Sequence, residues 1–292
     1  MADWATFTGI VGVILVLLLA LTHASQSAFK SETRSSVESS SHSTESADHT
    51  TPSVDRPPAA PDGATQPVDG SVPGDSERPN TGDGAVDRPY TPGPTTEVEL
   101  STRALLLNVA VSQGVFAVLL VTMAWYTEIP AWAFGLATES LTLGGVATGI
   151  AVGGVFYLGN EAAAALGRRQ GLSTPTELRG ALAPETAAGW VVLLVVVLPI
   201  IAGFEELLFR GALIGVVHAG FGVPVWLLAV GSSVAFALGH GAQGRLGIVV
   251  TGLLGAGLAA VFVVTGSLLV VIVAHYVINA LEFVVHEGLD VR

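Results

Sequence analysis

The feature that most constrains this chain is GFEELLFRG, Gly203 to Gly211, which sets two glutamates and an arginine inside an otherwise apolar run. VVLLVVVLPIIA precedes it and ALIGVV follows, so the surroundings specify lipid rather than water. An ionised side chain near a bilayer centre costs roughly 2.5–3.5 kcal/mol. Three within six positions require partners or a function, and the rest of the chain has to supply them.

Helical spacing divides their roles. Glu206 and Arg210 are four apart, so they share a face and pair in the favourable acid-first order. Glu205 is rotated by about 100° from Glu206 and lacks that counter-ion. A paired Glu206 reads as structural, and an unpaired Glu205 as a candidate base. The blander alternative is a helix–helix salt bridge that only fixes packing.

Half of the 292 residues are hydrophobic and the mean hydropathy is +0.63, which specifies a polytopic membrane protein. With no cysteine there is neither a disulfide nor a thiolate nucleophile. Asp and Glu total 24 against 12 Lys and Arg, a balance that argues against nucleic acid as a partner.

Residues 1–22 contain a nineteen-residue apolar stretch from Trp4 that reads as a transmembrane anchor. A cleaved signal peptide is the rival, but Asp3 replaces the usual basic n-region. Residues 23–100 are acidic and rich in Ser, Thr, Pro and Gly, without apolar periodicity. Such a segment cannot offset its ordering entropy by burial, and a disordered linker is expected. Residues 101–186 hold two accessory spans, about 104–125 and 137–158, and a polar connector, Asn160 to Ala183. Within the connector, Thr174, Pro175 and Glu177 form a capping box that predicts a short surface helix. Residues 187–286 hold four further spans, about 187–216, 223–240, 246–264 and 267–285. The expected fold is an all-α, polytopic transmembrane bundle of about seven spans with a disordered N-terminal linker. Lys30, Arg34, Arg103, Arg168, Arg169, Arg179, Arg245 and Arg292 all fall on one side if the N-terminus is outside, which makes that side cytoplasmic.

Polar residues in the later spans are few. His240 follows Phe236 by four, and His275 precedes Asn279 by four, so each pair shares a helical face. Counting residues from the outer turns brings Glu205 and Asn279 nearly level, with both histidines within one or two turns. His23, His218 and His286 read as packed or interfacial.

A carboxylate and a histidine can activate a water, while a second histidine and an asparagine amide can stabilise an oxyanion. The same Glu205, His240 and His275 could instead ligate zinc, although HExxH is absent. A serine route through Ser232 or Ser233 would leave the glutamates unexplained.

EELLFR (Glu205 to Arg210), FALGH (Phe236 to His240) and HYVIN (His275 to Asn279) resemble the EExxxR, FxxxH and HxxxN motifs of the CPBP family. That family comprises type II CAAX prenyl endopeptidases and bacteriocin-processing or immunity (ABI-like) relatives. The resemblance covers roughly 187–285. It implies a multi-pass cell-membrane endopeptidase whose cavity opens to the cytoplasm. Its substrate would be a membrane-embedded or lipid-anchored protein or peptide. By the resemblance, Glu205 acts with His240 on the water, and His275 with Asn279 forms the oxyanion site. Glu206, Arg210 and Phe236 support them. It implies no bound metal, with zinc on Glu205, His240 and His275 as the alternative. A non-catalytic binding, immunity or regulatory protein is the competing reading.

Overall fold

The computed structural model describes residues 1–23, 102–138, 141–169 and 177–289, which are helical throughout apart from short turns. The expected linker over 23–100 lies outside these residues, except for His23. So does the capping box at Thr174 and Pro175.

Each helix boundary has a local cause. The first helix, α1 (Trp4–His23), starts where the Asp3 carboxylate accepts the Thr6 amide at 3.0 Å. α2 (Thr102–Tyr126) leads through Pro130 into a 3₁₀ turn, Ala131–Phe134, which closes on Gly135 at φ 77°. α3 (Leu143–Arg169) begins six residues later than the 137 expected and continues well beyond 158 into the supposed connector. EAAAALGRR explains the extension, because alanine favours helix and two terminal arginines complement the helix dipole. α4 (Glu177–Leu182) is the expected connector helix.

α5 (Ala187–Phe221) is capped by the Thr186 hydroxyl, which accepts the Gly189 amide, and stops at Gly222 with φ 67°. It contains two π-helical segments, Leu193–Val197 before the break in hydrogen bonding at Pro199 and Leu207–Val216 directly after Glu206. α6 (Val225–Gly239), α7 (Gly244–Thr265) and α8 (Leu268–Gly288) complete the bundle. Ser267 caps α8 by accepting the Val270 amide.

Six of these helices are long and apolar enough to cross a bilayer: α1, α2, α3, α5, α7 and α8. The remaining expected span, α6, has 15 residues. At 1.5 Å per residue it reaches about 22 Å, short of the ~30 Å hydrocarbon thickness. His240 stands at its C-terminus.

Close approach holds the bundle together. α8 lies along α3 at Gly149 and Gly153, where a Cβ would come within 2.8 Å of the Val270 and Ala274 carbonyls. α1 is part of the same packing. Phe7, Val11 and Ile14 are buried, and Phe7 meets Phe134 edge-on at 5.6 Å. The Asp3 amide donates to the Thr127 carbonyl at 2.8 Å, which ties the start of α1 to the end of α2.

Candidate active site

Glu205 and Glu206 end the α-helical part of α5, and Arg210 lies in the widened π turn that follows. A π-helix fits an extra residue into the ladder, is rare, and frequently occurs at functional sites. Glu206 and Arg210 are completely buried. The Arg210 guanidinium donates from Nη1 to Glu206 Oε1 at 2.8 Å, as the spacing predicts. From Nη2 it also donates to the Gly255 carbonyl on α7 at 2.8 Å. Its plane sits 4.7 Å from the Phe236 ring centroid.

Glu206 is not left to Arg210 alone. His275 of α8 donates its Nδ1–H to Glu206 Oε1 at 2.7 Å, since a carboxylate there can only accept. The other nitrogen, Nε2, faces Glu205 Oε2 at 3.8 Å. One ring thus touches both glutamates, which spacing along a single helix cannot reveal.

His240 of α6 approaches the same oxygen, with Nε2 at 4.0 Å from Glu205 Oε2. Its Nδ1 donates to the Phe236 carbonyl at 2.8 Å, which turns Nε2 toward the carboxylate. The Phe236 ring lies tilted beside His240 at 4.5 Å and meets His275 edge-on at 6.1 Å. This phenylalanine therefore spaces the two histidines. Asn279 is half-buried, one turn beyond His275 on α8. Glu205 Oε2 is buried without a hydrogen-bond partner among the described residues. His240 is the most open member of the trio, its side chain 24% exposed against 5% for His275.

The two serines have other work. Ser233 donates to the Ala229 carbonyl on its own helix, and Ser232 donates across to the Phe209 carbonyl at 2.6 Å. His218 donates Nδ1–H to the Val223 carbonyl at the α5–α6 turn. His286 is more engaged than an interfacial residue. With Glu161, Glu282 and Arg179 it ties α3, α4 and α8 at one end of the bundle.

The fold and this cluster define a polytopic helical membrane protein with a polar, carboxylate–histidine site inside the apolar slab. Residues 187–281 match the family model of type II CAAX prenyl endopeptidase Rce1-like proteins, in agreement with the resemblance carried by the three motifs. The matched stretch contains every site residue named above. It supports an intramembrane protease of the CAAX type in general. Comparison with curated proteins and with solved structures gives no match.

Proposed function

We propose that the chain is an intramembrane endopeptidase in which Glu205 activates the hydrolytic water. The observation that carries this reading is the buried Glu205 Oε2, without a hydrogen-bond partner among the described residues, with His240 Nε2 at 4.0 Å and His275 Nε2 at 3.8 Å. Polar atoms at such separations are suited to bridging by one water. Glu205 takes a proton from that water as the oxygen attacks the scissile carbonyl, and returns it to the leaving amine. Asn279 offers its amide N–H to the developing oxyanion. His275, held through Nδ1 by Glu206, turns Nε2 toward the same space.

The matched family supports a membrane-associated protein or peptide as substrate, with CAAX-type or prenylated proteins as the class to test first. With successive helices alternating in direction, His240 at the end of α6 falls on the same side as Arg103, Arg168, Arg169, Arg179 and Arg245. That asymmetry supports a cytoplasmic opening and an outside N-terminus.

Zinc is the alternative cofactor reading. Both ring Nδ1 atoms are held as in metal-bound histidines, by a carboxylate and a backbone carbonyl. Two ligands ~2.1 Å from a tetrahedral zinc lie only about 3.4 Å apart. The separations of 3.8 and 4.0 Å are wider, which favours a water.

The test is comparative proteomics of membranes from a Glu205→Gln strain and its parent. Uncleaved membrane proteins are expected to accumulate in the variant. Identical membrane proteomes, with the variant inserted normally, would sink the reading.

A further inference from the structure

Ser232 departs from the commonest pattern among the hydroxyls in these helices. Thr22, Thr148, Ser233 and Thr265 each donate to the carbonyl four residues earlier on their own helix. That is the usual way for a hydroxyl to satisfy itself in lipid. Ser232, only 3% exposed, instead reaches to α5 and donates to the Phe209 carbonyl at 2.6 Å. Phe209 lies in the π turn Leu207–Val216, beside Arg210 and four residues after Glu205. Altered registers free backbone carbonyls, which neighbouring side chains can satisfy.

Ser232, Phe236 and His240 are spaced by four and form one stripe of α6. Each touches the glutamate helix or its site. Ser232 holds the Phe209 carbonyl, and the Phe236 ring meets the Phe209 ring edge-on at 5.0 Å. His240 faces Glu205. The Ser232 bond is a hydrogen bond from α6 to the backbone of the π turn, so it sets how far α6 stands along α5. A slip of one residue is about 1.5 Å along the axis and 100° around it. Either would take His240 Nε2 out of reach of Glu205.

We propose that Ser232 is a positioning residue, which fixes α6 against the π turn and so sets the Glu205–His240 separation. The consequence for cleavage rests on the protease reading; the geometric role does not.

The test uses full-length protein in detergent micelles, with Ser232→Ala, Ser232→Thr and Ser232→Cys. Two readouts are needed: kcat and KM on an internally quenched farnesylated CAAX peptide, and the ring ¹⁵N chemical shifts of His240 at fixed pH. Ser232→Ala is expected to lower kcat roughly 10–100-fold with KM within about twofold, as misplacement near an ångström does. It should move the His240 ring shifts and leave those of His218 unchanged. Ser232→Thr, which keeps the hydroxyl, should restore both. If Ser232→Ala does not fold, the ordering of Ser, Thr and Cys by donor strength decides. Parental kcat and His240 shifts in every folded variant would overturn the proposal. If the parent does not cleave the peptide and Glu205→Gln changes nothing, the protease reading fails, while the His240 shifts still decide the role of Ser232.

Discussion

His275 donates to Glu206 at 2.7 Å, and the same ring stands 3.8 Å from Glu205, so the two adjacent glutamates are joined by one side chain. His275 thereby has a structural duty that His240 lacks. His275→Ala leaves a buried carboxylate short of a donor, at a cost of about 1–3 kcal/mol. His240→Ala gives up a partly exposed ring and one backbone contact. Both changes are expected to abolish peptide cleavage. Thermal unfolding in detergent should show the larger loss for His275→Ala, and equal losses would contradict this division.

Glu206 and Arg210 are expected to resist charge reversal. Removing either partner alone strands a buried charge, at about 3–5 kcal/mol. Exchanging the two would aim a carboxylate at the Gly255 carbonyl and a guanidinium at His275 Nδ1, each a mismatch. The neutral double variant Glu206→Gln with Arg210→Met should therefore give more folded protein than the exchanged pair. Monodisperse yield by size-exclusion chromatography measures this, and full recovery by the exchange would show that the two residues form an isolated pair.

Gly255 is held small by its neighbours. A Cβ there would lie 2.9 Å from Phe236 Cδ1 and 3.5 Å from Arg210 Nη2. Gly255→Ala should cost about 1–3 kcal/mol through overpacking and lower cleavage by displacing Phe236 from between the histidines. Gly231 on α6 faces open space, so Gly231→Ala is the control expected to leave cleavage intact.

Phe7 tests whether α1 is a member of the bundle. It is wholly buried against Phe134, whereas Val13 on the same helix is 60% exposed. Phe7→Ala should lower stability by about 3–5 kcal/mol and Val13→Ala by almost nothing, read from thermal melts in detergent. A separable leader would tolerate both changes.

Chelation separates the water and zinc readings. Active protein dialysed against EDTA is expected to keep its kcat, and elemental analysis should find zinc well below one per chain. Stoichiometric zinc lost together with activity, and restored with it, would establish the metal.

Much of this molecule is legible along the chain. Apolar length marks the spans, and the four-residue intervals Glu206–Arg210, Phe236–His240 and His275–Asn279 place each pair on one face. The limits of α3 and α6 were less accessible. Hydropathy registers the polar residues after 158 as a break, although alanine carries the helix through them to Arg169. It also cannot see that α6 stops at Gly239, after 15 residues.

The sequence by itself determined that charge enters lipid at Glu205, Glu206 and Arg210, and that two histidines and an asparagine stand on later helices to meet it. Those are consequences of composition and helical period, which are properties of single segments. Only the tertiary structure decided that His275 serves both glutamates, that Arg210 anchors to the Gly255 carbonyl, and that Ser232 clasps the π turn. Those bonds depend on how closely backbones 23 to 69 residues apart approach one another, and that distance is set by packing between helices.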